Sequence, residues 1–273
     1  MHETESPTTA PIVRGIEENL WAMWSRFGRG NACQLHESEN AIWFDTPIPT
    51  LPYNTVIKFN AADDAEQRID EIFEHYRERN VPFAWIVHPS AQPRDLDARL
   101  QDRGLEEAEV AMGMAMELDA LPALDEAPAG IEIEEVDEES DVMEFLELAA
   151  WRWEVPADAV HHLADLEAAF KVGAAGSPIR AWLARRDGVA VSKATLCLDA
   201  GVAGVYGVAT RPEARGMGLA RNLTLAALRA ARSAGYGRAV LHSSPMARSL
   251  YRSIGFREYA PFKVFAPPRS FHL

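Results

Sequence analysis

The chain has 273 residues and a formal net charge of −14, from 41 Asp and Glu residues against 27 Lys and Arg residues. This balance argues against nucleic acid as a partner, because a protein that binds it must neutralise phosphates with clustered Lys and Arg. An acidic chain suits a cationic substrate, although acidic runs also form ordinary solvated faces. The length, together with a hydrophobic content of 48%, allows two packed domains.

The N-terminal residues and the cysteines narrow the class of protein further. Residues 1–11 lack the basic start and the apolar run of a signal peptide, and no later stretch reaches the apolar length of a membrane span. We therefore expect a cytoplasmic protein without membrane contact. Cys33 and Cys197 lie far apart with no metal-ligand spacing around them, so we expect neither a disulfide framework nor a zinc site.

The first half of the chain contains four predicted elements and ends in a linker. The patterns predict a helix over residues 63–79, a strand over 82–88, a helix over 96–103 and a strand over 110–118. Residues 119–130 are rich in Pro, Ala and acidic residues, which is the composition of a linker. We place the boundary near residue 125, so that the two predicted domains are residues 1–125 and 126–273.

The second half contains a longer series of predicted elements. In chain order they are a strand over 131–136, helices over 141–151 and 157–170, strands over 179–185, 189–198 and 202–210, a helix over 218–234, a strand over 238–243, a helix over 246–254 and a strand over 257–265. Residues 186–188 and 199–201 supply Asp- and Gly-containing turns between the middle strands. The predicted fold class is α/β, of the α+β type, with a central mixed sheet flanked by helices in each domain.

A glycine turn in the second half carries the first sign of a function. The stretch from Thr210 to Arg221 runs from an apolar strand through Gly216 and Gly218 into a helix. Consecutive amide N–H groups there can converge on one point, glycine removes the Cβ that would block a phosphate, and the helix dipole favours negative charge. Many glycine turns merely cap a helix, so the motif on its own indicates a phosphorylated ligand only weakly.

A second motif lies downstream, in residues 247–256, where a short helix ends at Gly255 one turn after Tyr251. Arg215-Gly-Met-Gly-Leu-Ala220, followed by Leu250-Tyr251 and Gly255-Phe256, resembles the GNAT superfamily of acyl-CoA-dependent N-acyltransferases. The resemblance covers residues 131–268, and the order of the predicted elements is that of the GNAT fold. It implies an enzyme that moves an acetyl group from acetyl-CoA to a primary amine, a small molecule rather than a protein, through a tetrahedral intermediate.

The first half echoes this pattern without its chemistry. Aligning Gly104-Leu105 on Gly255-Phe256 brings the same final elements into register, as in a tandem duplication. The first half has Asn60–Asp64 in place of the glycine turn, and two carboxylates there would repel a pyrophosphate. Leu100 stands where Tyr251 stands. We therefore expect a degenerate GNAT-like domain without a CoA site; an unrelated N-terminal cap on one elaborated domain is the alternative.

The resemblance also assigns roles to residues around the cofactor. Val208 and Thr210 flank the thioester, and Ser244 stands where the family often has an asparagine that contacts the cofactor. Tyr251 is the expected general acid, since its ordinary pKa of about 10 keeps it protonated; simple packing on an amphipathic helix is the alternative. The resemblance implies that the pyrophosphate is bound by Arg215, Gly216, Met217, Gly218, Leu219, Ala220 and Arg221.

The acceptor side is less defined. No carboxylate lies on residues 205–210, so the alternatives are His242, Glu154 or a chain of water molecules as the proton acceptor, or an amine that is already neutral at the working pH. Trp151 and Trp153 either form an aromatic wall for an amine or pack in the core. We expect no metal and leave a homodimer open. The alternative function is a non-catalytic acyl-CoA-binding regulatory module; a dinucleotide site is disfavoured because no acidic residue ends the strand over 238–243.

Overall fold

The computed structural model describes residues 9–123 and 128–268. The elements in this part of the chain are, in order, α1 (Thr9–Trp24), β1 (Gln34–Glu37), β2 (Ala41–Asp45), β3 (Thr55–Phe59), α2 (Ala65–Arg79), β4 (Ala84–Val87), α3 (Leu96–Asp102), β5 (Glu106–Glu117), β6 (Ile131–Glu135), α4 (Glu139–Arg152), α5 (His162–Phe170), β7 (Ile179–Arg186), β8 (Val189–Asp199), β9 (Val202–Thr210), α6 (Leu219–Ser233), β10 (Arg238–Ser243), α7 (Arg248–Ile254) and β11 (Arg257–Ala266). None of these helices has the length and apolar character required to cross a bilayer.

The elements confirm the predicted α/β fold class, with differences at the starts of several elements. The helix predicted from residue 157 begins at His162, because the amides of Ala159 and His162 bond to carbonyls three residues back, as in isolated turns. The helix predicted from residue 246 begins at Arg248, after a short 3-10 turn over Pro245–Ala247. The patterns missed α1 and the strands β1 to β3.

The described chain divides into two compact units, each built from separate segments. The first unit contains the residues up to Met23, Met112–Arg152 and Phe170–Ala260. The second contains Trp24–Ala111, Trp153–Ala169 and the residues from Pro261 onward. The boundary predicted near residue 125 lies outside the described residues, and the division into residues 1–125 and 126–273 stays a prediction.

The first unit is a mixed sheet in the order β5-β10-β9-β8-β7-β6. Only β9 and β10 run parallel; the other neighbours are antiparallel. The two hairpin turns have positive φ at both central residues, 51° and 80° at Asp187-Gly188 and 52° and 71° at Ala200-Gly201, which matches the right-handed twist of the strands. Helix α6 packs on β7, β8 and β9 through fully buried side chains, which include Leu223, Leu225, Ala227 and Leu228.

Helix α1 is fixed to this sheet by Asn19, whose side chain is fully buried. Its Nδ2 donates to the carbonyls of Asp199 at 2.8 Å and Val202 at 3.2 Å, and its Oδ1 accepts from the Tyr206 hydroxyl at 2.8 Å. The amide needs a close approach of the two backbones, and Gly204 permits it: a Cβ at Gly204 would lie 1.9 Å from Asn19 Oδ1. A buried amide with its donors and acceptor satisfied holds α1 in one position.

In the second unit the strands of the sheet follow the order β1-β2-β3-β4-β11. Strands β3 and β4 are parallel and the other pairs are antiparallel. Lys263 of β11 lies opposite Val87 of β4, so the last strand of the sequence completes this sheet. Its core consists of large side chains that solvent does not reach, among them Phe59, Ile69, Trp85, Leu100 and Phe265.

Helices α3 and α7 end in the same way, which supports the internal repeat. The amides of Leu105 and Phe256 each bond, at 3.1 Å, to the carbonyl five residues back, that of Leu100 and that of Tyr251. The glycine before each of them has positive φ, 89° at Gly104 and 121° at Gly255. This is the Schellman ending of a helix, in which glycine avoids the penalty of a Cβ.

Candidate functional site

Strands β9 and β10 part toward their carboxyl ends. Their parallel ladder joins Ala203 to Ala239, Gly204 to Val240 and Val205 to Leu241. Within the described chain it goes no further, although β9 continues to Thr210. The last five residues of β9 therefore offer backbone N–H and C=O groups on that side to an extended ligand, as an unpaired strand edge does.

A bulge interrupts β9 at the same place. Tyr206 lies opposite Thr195 of β8, but Ala209 lies opposite Lys193, so β9 has one residue more than its partner over this interval. Gly207, which sits inside the interval, has φ of 58°. A bulge bends its strand and redirects the neighbouring amides and side chains, and it does so here where the two parallel strands begin to separate.

The segment from Arg215 to Arg221, which we call the glycine loop, leads from β9 into α6. Gly216 and Gly218 have φ of 78° and 74°, and no atom lies within 4 Å of a Cβ added at either position. Helix α6 begins at Leu219, directly after Gly218, which has no side chain with which to cap it. The N–H groups of the first helical turn have no partner within a helix, and amides at such a helix start bind an anion well.

Other members of the glycine loop hold it in place. Met217 and Leu219 pack into the core of the first unit. Arg215 Nε donates to the carbonyl of Thr210 at 3.3 Å, and Arg221 Nη1 donates to Ser253 Oγ of α7 at 3.3 Å. The loop thus carries two guanidinium groups, one at its start and one in the first turn of α6.

Tyr251 lies on α7 in the same unit. Its side chain is buried, with its ring edge-on to Phe256 and the ring centres 6.0 Å apart. Burial raises the pKa of the Tyr251 hydroxyl to about 12, because the phenolate would lose its hydration. The hydroxyl is therefore protonated across the physiological range and is available as a proton donor.

The remaining predicted cofactor residues lie on β9 and after β10. Val208 packs against the core from the bulge, and Thr210 Oγ1 lies 2.7 Å from Ser192 Oγ. Since the Ser192 hydroxyl donates to the carbonyl of Ala209 at 2.8 Å, the Thr210 hydroxyl is the donor of that pair. Ser244 precedes the 3-10 turn, and its carbonyl accepts from Ser243 Oγ at 2.9 Å.

The three predicted acceptor residues fall into different units. Trp151, in the last turn of α4, belongs to the first unit, where the Arg211 guanidinium lies 5.3 Å from its ring centre. Trp153 and Glu154 belong to the second unit. The Trp153 carbonyl accepts from Thr50 Oγ1 at 3.4 Å, and Glu154 is exposed with φ of 49°.

His242, the other proton acceptor that the sequence offered, lies on β10. Burial lowers the pKa of its imidazole to about 3, although the charge of Glu17 opposes the shift. An imidazole with so low a pKa accepts a proton poorly at neutral pH. This environment disfavours His242 as the base.

Lys193 is the residue that the sequence patterns overlooked. It lies on β8 opposite the bulge, its side chain is buried, and its Nζ lies 4.3 Å from the centre of the Phe145 ring. A Cβ added to Gly207 would lie 3.3 Å from that nitrogen. Burial, with a smaller effect from the charge of Arg152, lowers the pKa of Lys193 to about 8. In the described part of the chain no carboxylate forms an ion pair with it, so a large share of the amine is neutral at mildly basic pH.

Comparisons with known proteins agree with this geometry. Residues 142–256 match the family model described as the acetyltransferase (GNAT) family. Among solved structures, the chain is similar to a GCN5-related N-acetyltransferase from Kribbella flavida, with 20% identity, a TM-score of 0.65 and coverage of 91% of this chain and 95% of that one. It is also similar to a GCN5-related N-acetyltransferase from Sphaerobacter thermophilus, with 14% identity, a TM-score of 0.61 and coverage of 91% of this chain and 93% of that one.

A tandem GNAT protein from the clavulanic acid biosynthesis pathway is similar over 96% of this chain and 95% of its own, with 15% identity and a TM-score of 0.59. A sequence comparison with curated proteins gave no significant match. At these identities the solved structures establish the fold, while the family match covers the segment that contains the bulge, the glycine loop and Tyr251. Residues 142–256 therefore belong to the GNAT superfamily, whose members transfer acyl groups from acyl-CoA, and the chain as a whole has the tandem GNAT fold.

Proposed function

We propose that the protein transfers an acetyl group from acetyl-CoA to the nitrogen of a small primary amine. The observation that carries the proposal is the separation of β9 from β10 beside an uncapped glycine loop, with Tyr251 in the same unit. An extended pantetheine arm suits the open side of β9, and a pyrophosphate suits the amides at the start of α6. Arg215 and Arg221 add positive charge at the phosphates.

The residues of β9 and α7 account for the thioester end. Val208 and Thr210 would flank the thioester, and a backbone N–H at the bulge would stabilise the oxyanion of the tetrahedral intermediate. Tyr251 would donate its hydroxyl proton to the departing sulfur, so that CoA leaves as a thiol and not as a thiolate. Ser244 would contact the cofactor next to it through its hydroxyl.

Lys193 is our candidate for the proton acceptor. The amine nitrogen attacks the carbonyl carbon, the C–N bond forms, and the C–S bond then breaks with its electron pair on sulfur. The nitrogen must lose one proton, which a neutral Lys193 can take, while sulfur gains the proton of Tyr251. The position of Lys193 Nζ beside Gly207 supports this role, because the bulge borders the place proposed for the thioester.

The proposed acceptor is a cationic amine. The net charge of −14 suits a cationic amine. Trp151 is proposed to border the acceptor from α4, and Trp153 and Glu154 are kept as further candidates. A homodimer is likewise kept as a candidate assembly.

We propose further that the second unit binds no CoA. Its helix α2 begins at Ala65 and is preceded by Asp63 and Asp64, both exposed. Arg68 Nε donates to the Asp64 carboxylate at 2.6 Å and offsets part of its charge, but Asp63 adds a second carboxylate where the first unit has glycine. An anion would be repelled there.

A panel of primary amines tests the proposal. The protein is incubated with acetyl-CoA and each amine in turn, and the release of free thiol is measured together with the melting temperature with and without CoA. We expect CoA to raise the melting temperature, because a ligand that binds only the folded state stabilises it, and at least one amine to give saturable thiol release. A rise in melting temperature without thiol release from any amine would favour the regulatory binding module instead.

A further inference from the structure

Two imidazoles and a carboxylate converge in the second unit. His36 Nε2 lies 3.1 Å from Asp45 Oδ2, and His75 Nε2 lies 2.9 Å from the same oxygen. All three atoms lie within 4.8 Å of one another. The sequence suggested no metal site because these residues are far apart along the chain.

The pairing of β1 with β2 and the position of α2 bring the three residues together. Strands β1 and β2 pair with Gln34 opposite Asp45 and His36 opposite Trp43, so His36 and Asp45 are diagonal neighbours on one face. His75 and Arg79 are four residues apart on α2 and therefore share a side of that helix. The site thus joins two strands to a helix.

Trp43 fixes the orientation of both imidazoles. Its ring stacks on His36 with centres 3.5 Å apart and planes 2° from parallel. The same ring meets His75 edge-on, with centres 4.7 Å apart. Both Nε2 atoms are therefore turned toward Asp45 before any ligand arrives, which lowers the ordering cost of binding.

The carboxylate of Asp45 is divided between two tasks. Its side chain is 2% exposed, and Oδ1 accepts from Arg79 Nη2 at 3.0 Å, which leaves Oδ2 to the imidazoles. His36 and His75 also line an open cavity of about 500 Å³, which Arg68 and Glu71 border from α2. Water from this cavity can complete a coordination shell that the protein leaves open.

We propose that His36, Asp45 and His75 bind one divalent transition-metal ion of the zinc class. Two atoms bound to zinc at about 2.0–2.1 Å lie about 3 Å apart at the usual coordination angles, close to the two nitrogen–oxygen separations of 3.1 and 2.9 Å. Two imidazole nitrogens and one carboxylate oxygen are a donor set that zinc and its neighbours accept. An imidazole that binds a metal through Nε2 presents the lone pair of that nitrogen and carries its proton on Nδ1. Arg79 then holds the ligating carboxylate from its other oxygen, as outer-shell partners of metal ligands do.

Calorimetric titration of the metal-stripped full chain with Zn²⁺ tests the site. We expect binding of one ion to the cluster, and affinity at least about tenfold lower in His36→Gln and in His75→Gln. His162→Gln is the matched control, because His162 also lies near a carboxylate, that of Asp165 at 3.4 Å, but outside the cluster. Its affinity should equal that of the wild type.

The d–d absorption of bound Co²⁺ provides a second readout that does not depend on activity. A band that reports nitrogen and oxygen ligands in the wild type, lost in either cluster variant, would support the site. If either variant fails to fold, as judged by circular dichroism, the other decides. Absent binding in the wild type, or equal affinity in wild type and cluster variants, would mean that the three residues form only a hydrogen-bonded network around Asp45.

Discussion

Lys193 Nζ lies 4.3 Å from the centre of the Phe145 ring, which places a buried amine against an aromatic face. Strand β8 supplies the lysine and α4 supplies the phenylalanine. The contact gives the ammonium form a cation–π interaction, yet burial costs more, since the pKa of Lys193 falls to about 8. A buried amine that is this easily deprotonated is uncommon, and it lies opposite the bulge of β9.

The depressed pKa predicts that Lys193 costs stability at neutral pH. In the unfolded chain the amine keeps its ordinary pKa of about 10.4, whereas the folded chain disfavours its charge. Lys193→Met should therefore raise the free energy of unfolding at pH 7 by about 2 kcal/mol. As pH rises from about 8 toward 10.5, the wild type sheds that cost and the gap should close. Urea unfolding of both proteins across this pH range measures the difference in their free energies of unfolding. A difference that does not change with pH would refute the lowered pKa of Lys193.

The same amine predicts the pH dependence of turnover. A base acts only when deprotonated, so kcat at saturating amine should rise with pH through about 8, the pKa of Lys193. Tyr251 should impose no decline until far higher pH, since its pKa is about 12. Lys193→Met should lower kcat by about 10²-fold and remove the inflection. An unchanged inflection in the variant would assign it to another group.

The glycine loop predicts a selective loss of CoA affinity. Gly218 and Gly235 lie before and after α6, have φ of 74° and 90°, and leave open space for a Cβ. Alanine at either position should cost about 1 kcal/mol of stability through the left-handed backbone. Only Gly218→Ala should also weaken CoA binding, by about tenfold or more, equivalent to 1.4 kcal/mol. Calorimetry with CoA distinguishes the two; equal affinities would place the pyrophosphate elsewhere.

Gly204 and Gly15 form a second matched pair, which tests how α1 is attached. A Cβ at Gly204 would lie 1.9 Å from Asn19 Oδ1, whereas one at Gly15 would only touch Val202 Cγ1 at 3.5 Å. Gly204→Ala should lower the free energy of unfolding by about 2 kcal/mol or more. Gly15→Ala should raise it by about 0.5–1 kcal/mol, because alanine favours a helix interior. Similar effects of both would contradict the described packing of α1.

Local signals explain why the glycine loop and the element order could be predicted. The turns at Asp187-Gly188 and Ala200-Gly201, the end of α7 at Gly255 and the glycines of the loop all depend on positive φ within a few residues. Each of them contains a glycine, which adopts positive φ without the penalty of a Cβ whatever the rest of the chain does. Such features depend only on neighbouring residues, so they can be predicted from the sequence without knowledge of the fold.

Features that depend on distant contacts could not be predicted in this way. The Asn19–Tyr206 hydrogen bond joins positions 187 residues apart, and α1 gains its place from it. Lys193 stands in an apolar strand with no local sign of its buried environment. Each compact unit is built from separate segments of the chain. This arrangement follows from tertiary packing, and the amino-acid composition of a linker does not reveal it.

The acidic residues illustrate the same limit. The acidic runs at residues 132–135 and 137–139 are compatible with a cationic substrate or with solvated faces. Glu134 of the first run, together with Asp141 and Glu144 of α4, surrounds Arg185 at 3.0, 2.5 and 3.1 Å. Glu135 accepts two bonds from Arg180, each at 2.6 Å. Part of the negative charge thus ties β6 and α4 to β7, which only the pairing in space could reveal.

Acetyl transfer itself is tested most directly by mass spectrometry of the amine product, with an isotopically labelled acetyl group on CoA. The wild type should move the label to the amine, and Tyr251→Phe should lower kcat by about 10²-fold or more while CoA affinity changes less than about threefold. Tyr236→Phe, a substitution on another partly buried tyrosine of the first unit, should turn over as the wild type does. Label transfer at the wild-type rate in Tyr251→Phe would contradict the proposed role of this hydroxyl, and no transfer by the wild type to any amine would contradict the proposed reaction.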